Sequence, residues 1–192
     1  GVFGQQCIVL PRHNAVIAFT AGLALGERRL HSLLWEHLLP ALDAPSEGSL
    51  DAGLAALLAR QQRPVMSGAA SSPRQAQFSG TFVMQANEDQ VSQVRLEFGP
   101  EHCDFYLTDP RGTHCIRAGL SAGIETQTSM TGHYLHHQYQ PALTPVVAQA
   151  RWTEEGVLSM TWQFVETAFC DRVTCRIEHG TLYVDRSVNV NA

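Results

Sequence analysis

Lysine is missing from this chain of 192 residues; all 13 basic side chains are arginine. Chemistry that starts from a side-chain amine is therefore excluded. That removes a P-loop lysine on phosphates, a Schiff base, and a serine deprotonated by a lysine three residues on. Basic charge is also scarce overall, 13 positive side chains standing against 18 negative for a net charge of −5. A nucleic-acid backbone would meet no basic face, so nucleic acid is not an expected partner. Long apolar runs are absent too. The most apolar stretch, Cys7 to Leu25, is cut by Pro11, Arg12, His13 and Asn14, short of the ~18–20 residues a bilayer crossing needs. The same interruption and the lack of leading positive charge argue against a signal peptide. The sequence thus reads as cytoplasmic, with the periplasm as the alternative and no membrane partner. Cysteine is sparse. The five thiols, Cys7, Cys103, Cys115, Cys170 and Cys175, are odd in number and form no C-x-x-C pair, which predicts reduced thiols rather than a disulfide framework.

What is present suffices for a core, 44 % of residues being hydrophobic. Two short β-branched runs, 5–10 and 14–21, flank Pro11-Arg12-His13 and predict an antiparallel hairpin. Leu30, Leu33, Leu34, Leu38 and Ala41 then recur at three- and four-residue steps, which predicts a helix over 27–41. A second helix is expected over 50–61, capped by Ser49, with Leu50, Leu54, Leu57 and Leu58 on one side. The Pro/Ser/Gly/Ala-rich stretch 62–77 reads as a linker between a first unit, 1–61, and a second, 78–192. After Gln77 the apolar period becomes two, with turns every 8–12 residues, predicting strands at 78–85, 91–98, 103–108, 113–119, 123–128, 146–152, 157–166, 170–178 and 181–188. Asp109-Pro110-Arg111-Gly112 should close one hairpin, Glu154-Glu155-Gly156 and Glu178-His179-Gly180 two more. The expected class is α+β: a hairpin with helices, then an antiparallel barrel or half-barrel of about eight strands in up-and-down order. Leu158, Met160, Trp162 and Phe164 share the inward side of their strand.

Several patterns invite a chemical reading. Gly119-Leu120-Ser121-Ala122-Gly123 fits the G-x-S-x-G nucleophile elbow, but the residues after it are β-rich where the elbow needs a helix. His133, His136 and His137 form the densest polar constellation, and imidazole serves both as zinc ligand and as general base. Gly132, Tyr134 and Pro141 favour a loop there, so the rings are expected to face solvent or backbone and no metal is assigned. Cys7 and Cys175 are expected to fill core; Glu166, Asp171, Arg172 and Asp185 are expected to pair at the surface.

The opening Gly1-Val2-Phe3-Gly4-Gln5, the apolar strand ending at Leu10-Pro11, the second strand Ala15–Ala21 and the helix after it resemble the C-terminal part of the serine β-lactamase-like fold. That group includes penicillin-binding proteins, class C β-lactamases and related esterases. Three stretches of the β half resemble an appended module in longer members: Gln138-Tyr139-Gln140-Pro141, Phe164-Val165-Glu166-Thr167, and Arg186 to Asn191. The resemblance implies that Val2, Phe3, Gly4 and Gln5 are a remnant of the strand whose N–H stabilises the oxyanion. The family's Ser-x-x-Lys nucleophile is lacking, so no catalytic residue is assigned and no cofactor is expected. The chain is then a C-terminal accessory fragment, beginning at a trimmed end, that hydrolyses nothing alone. Its partner is the N-terminal catalytic domain of the parent chain. Tyr139, Trp162, His133, His136 and His137 mark the surface or mouth of interest. An orphaned edge over 5–21 can also pair with a second copy, giving a homodimer. Two alternatives remain open: a lipocalin-like binder of a small apolar ligand against Met160, Trp162 and Phe164, and a hydrolase using Ser121 with one of His133, His136 or His137.

Overall fold

The computed structural model describes residues 2–24, 29–44, 52–60, 65–130, 142–153 and 156–190. The chain divides into two compact units, Gly1–Pro64 and Val65–Ala192.

In the first unit β1 (Gln6–Leu10) and β2 (Ala15–Phe19) pair antiparallel, Cys7 opposite Ala18 and Val9 opposite Val16. Pro11–His13 forms the connecting turn, and Asn14 takes the left-handed backbone that closes it, φ 48°. Helix α1 (Arg29–Leu33) runs through a π-helical turn, Leu34–Leu38, into α2 (Leu39–Asp43), and α3 spans Ala52–Arg60. His13 Nε2 lies 2.8 Å from Asp43 Oδ1, tying the hairpin loop to the end of α2. Little of the apolar surface is covered. Among the described residues of this unit only Phe3 and Leu34 are buried apolar side chains, whereas Val9 and Val16 are 61 % and 66 % exposed. Leu33, Leu38, Leu54, Leu57 and Leu58 are exposed as well.

Two expectations are corrected here. Cys7 is exposed rather than core-filling, because it shares the outward side of β1 with Val9. Val2–Gly4 is a 3-10 turn, not a strand entry: Phe3 is buried with φ 57° and Gly4 has φ 82°. Positive φ is incompatible with an extended strand. The pairing starts only at Gln6, and the Gln5 N–H is turned back onto the Val2 carbonyl at 3.2 Å.

In the second unit a short helix, α4 (Gln75–Phe78), precedes one sheet. Its strands are β3 (Gly80–Val83), β4 (Gln93–Phe98), β5 (His102–Asp109), β6 (Gly112–Gly119), β7 (Ile124–Thr128), β8 (Thr144–Trp152), β9 (Leu158–Phe164), β10 (Cys170–Glu178) and β11 (Thr181–Val188). The spatial order is β3-β4-β5-β6-β8-β9-β10-β11, with β7 paired to β8 off this path. The result is the expected α+β chain with a nearly closed, barrel-like sheet. Neighbouring strands lie ~4.8 Å apart, so β5 and β9, three steps apart, would stand ~14 Å apart in a flat sheet. The Phe105 and Trp162 rings meet at 5.1 Å, so the sheet curls over them.

The order is not simply up-and-down. Strands β6 and β8 run parallel and share a single pair, Gly119 with Gln149. Gly119 is required at the turn that throws β7 aside, since a Cβ there would fall 1.9 Å from the Ala122 carbonyl oxygen. Residues 65–77 also differ from a linker, for they are packed within the second unit. Ala69 and Trp152 exchange two backbone hydrogen bonds of 2.9 Å, and the Met66 N–H donates to Gln149 Oε1 at 3.0 Å. Gly68 lets the strap approach, at φ 123° with a Cβ position only 2.6 Å from the Trp152 carbonyl oxygen. The strap covers the outer side of β8, which explains why Val147, Gln149 and Arg151 are buried along with the inward Val146, Ala148, Ala150 and Trp152. The Arg151 side chain donates to the carbonyls of Met66, Ala150 and Ser121, the last at 2.6 Å.

Candidate functional site

Alternation places Cys103, Phe105 and Leu107 of β5 and Ile116 and Ala118 of β6 on the inward side, all buried. Carried one step further, the same alternation brings Asp109 and His114 inward beside the tight turn, where Asp109 pairs with Gly112. His114 is buried, and both ring nitrogens are engaged: Nε2 with Asp109 Oδ1 at 3.0 Å and Nδ1 with Ser129 Oγ at 2.8 Å. Ser129 directly follows β7, and the adjacent Thr128 hydroxyl accepts the Met130 N–H at 3.0 Å. Burial alone would raise the Asp109 carboxyl. Hydrogen bonds from Arg111 and His114 outweigh it and hold the group below the ordinary aspartate range. An ionised carboxylate can only accept, so it takes the Nε2 proton of His114. In the neutral ring Nδ1 is then the acceptor, facing the Ser129 hydroxyl.

A second polar group stands inside the sheet. Asp171 opens the inward run Asp171, Val173, Cys175 on β10 and is fully buried, at 0 % exposure. Arg186 of β11 donates from Nε to Asp171 Oδ2 at 2.7 Å and lies 5.3 Å over the Trp162 ring. This corrects the surface pairing expected of Asp171; its partner is Arg186, and Asp185 instead stands 3.9 Å from Arg176.

Of the residues singled out from sequence, His133, His136, His137 and Tyr139 lie outside the described residues. Met160 and Trp162 have 0 % exposure and Phe164 1 %, so these three are core side chains and Trp162 does not mark a surface or mouth. Ser121 is exposed with its carbonyl held by Arg151, and no described imidazole is bonded to its hydroxyl. Burial pushes the Cys175 thiol up to about 12 and raises Cys103 well above the ordinary thiol value, neighbouring Cys175 adding to it, so both are protonated core groups. The facing pairs Cys103–Ala118 and Tyr106–Cys115 put the β5 and β6 thiols on opposite sides of the sheet.

On the outer side of the sheet the Arg117 fork grips Asp104 with two hydrogen bonds of 2.7 Å, and holds that carboxyl below the ordinary aspartate value. Asp109 is lowered too. A carboxyl with a depressed folded-state pKa contributes stability above the unfolded value, about 4, and loses it as pH falls through the folded value. The urea midpoint is therefore expected to hold between pH 7 and 5 and to fall below about pH 4, with a shallower fall in Asp104→Asn. Equal acid slopes in the two proteins would rule out this assignment.

No protein-family model, curated protein or solved structure matches the chain. Among the described residues no helix is long and apolar enough to cross a membrane, and no group of three or more His, Cys, Asp or Glu side chains could hold a metal. The reading from sequence missed Asp109, His114 and Ser129 as a group. A signal was available: His114 shares the period-two side of Ile116 and Ala118, and an inward histidine needs polar partners.

Proposed function

We propose that this chain is the C-terminal accessory part of a β-lactamase-like serine hydrolase, taking no part itself in acyl transfer from a Ser-x-x-Lys nucleophile. The observation that carries this reading is the uncovered apolar surface of the first unit. A two-stranded hairpin is at best marginally stable alone, and here Val9 and Val16 present an apolar side while the leucines of the helices also stand exposed. Such surface fits elements that complete the sheet and helical layer of a larger domain, which would be the parent's catalytic domain. The total lack of lysine supports the second half of the reading. Without that domain the same surface favours pairing between two copies.

Two measurements test this. A fluorescent penicillin is expected to leave the chain unlabelled. The purified chain is expected to enhance the fluorescence of anilinonaphthalene sulfonate, and Val9→Ser, Val16→Ser, Leu33→Glu and Leu38→Glu together should remove most of that signal. Each exposed substitution should shift stability by no more than about 0.5 kcal/mol. Unaided β-lactam cleavage, or unfolding of the quadruple variant, would count against the proposal.

A further inference from the structure

We propose that Ser129 is a nucleophile activated by His114 and oriented through Asp109, able to take an acyl group from small activated esters or a phosphonyl group from fluorophosphonates. The inference is independent of the accessory reading, and it departs from the expectation that the isolated chain is chemically inert. It stands on three placements. The Ser129 Oγ is 2.8 Å from His114 Nδ1, within reach for proton transfer. The opposite ring nitrogen is 3.0 Å from the Asp109 carboxylate, which fixes the tautomer that leaves Nδ1 free to accept. The ring is buried while Ser129 is only half-buried, so the base is shielded and the residue it faces keeps some exposed surface.

Nucleophile, base and orienting acid are defined by these roles and not by their order or spacing in the chain. Here the ring presents Nδ1 to the serine and Nε2 to the acid, the reverse of the serine-protease arrangement, with the same division of labour. Arg111 donates to Asp109 Oδ2 from Nε at 3.1 Å and Nη2 at 2.8 Å, which keeps the carboxylate ionised and in place. With an ester, Oγ attacks the carbonyl carbon as its proton passes to Nδ1; the alcohol then leaves, taking that proton, and the acyl group stays on Oγ. Water, deprotonated by the same nitrogen, releases the acid and restores the hydroxyl. With a fluorophosphonate the P–F bond breaks, fluoride leaves and the phosphonyl group remains on Oγ.

The Met130 N–H, the backbone donor next after the serine, is already taken by the Thr128 hydroxyl. Loss of one oxyanion donor costs roughly 10²–10³ in rate. Stoichiometric modification with slow turnover is therefore the expected behaviour.

The full chain is incubated with a biotinylated alkyl fluorophosphonate and the adduct located by peptide mass spectrometry. One adduct is expected, on Ser129. Ser129→Ala should abolish it and Ser121→Ala should leave it unchanged. His114→Gln should slow labelling by about 10²-fold or more, in the range of a general base, and Asp109→Asn should slow it as well. Because His114 is buried and its replacement can disturb the fold, the solvent deuterium isotope effect on labelling of the unmodified chain gives a second readout. Labelling should be slower in heavy water, since the serine proton moves to the ring as the bond to Oγ forms. An adduct found only elsewhere, no adduct at all, equal rates in light and heavy water, or equal rates in folded His114→Gln and the parent chain would each overturn the proposal. The penicillin experiment probes the accessory reading separately, so either can fail alone.

Discussion

Trp162→Ala is expected to destabilise the chain by about 3–5 kcal/mol, the range for deleting a fully buried large aromatic. The ring is packed against Phe105 at 5.1 Å, lies under Arg186 and has no accessible surface, so its removal leaves a void rather than a surface notch. One term works the other way. Among the described residues Trp162 Nε1 has no hydrogen-bond partner, and an unpartnered buried donor costs about 1–3 kcal/mol, which its deletion returns. The cavity term is larger and decides the sign for alanine. Trp162→Phe deletes the same donor while keeping most of the ring volume, so its net cost should be close to 1 kcal/mol, the lower end for a core change. Urea unfolding of both variants gives the comparison; an alanine variant within that same small range would show that the interior closes up after the loss.

Arg186→Ala is the second large effect. Asp171 is fully buried and the guanidinium is its partner at 2.7 Å. Removing one member of a buried pair costs about 3–5 kcal/mol, because the remaining charge keeps its desolvation penalty. Arg186 retains some exposure, so the lower half of that range is expected. Replacing both members, Asp171→Leu with Arg186→Met, should recover most of the loss, since an apolar pair of similar volume has no ion to desolvate. Arg186 also lies over Trp162, so Arg186→Ala and Trp162→Ala should not add. A double-mutant cycle of zero coupling, or a double replacement no better than Arg186→Ala, would refute this account of the pair.

Period-two patterning located every strand of the sheet, and two of them, 170–178 and 181–188, coincide with the structure at both ends. The turn Asp109 to Gly112 set its hairpin register because proline and glycine fix the loop locally. Features that depend on contacts far apart in the chain were not legible. The strap over β8 is held by the Ala69–Trp152 backbone pair and by Gln149 and Arg151 reaching Met66, contacts more than 80 residues apart that no local pattern announces, and its small residues read as a linker. Asp171 was assigned to the surface from its charge, although alternation with Val173 and Cys175 already placed it inward. The Asp109–His114–Ser129 grouping needed the position of β7, which the turn at Gly119 determines and composition does not reveal.

That turn also bears on how the second unit assembles. Strands β3 to β6 form one run of antiparallel ladders between chain neighbours and β7 to β11 form a second, so each run can assemble without the other. The two runs meet where β6 lies beside β8, strands that are not consecutive in the chain and that share one backbone pair, with the Arg151–Ser121 bond close by. Refolding should therefore produce two preformed ribbons whose docking is the late, slow event, and amide exchange in the folded protein should be fastest along that seam.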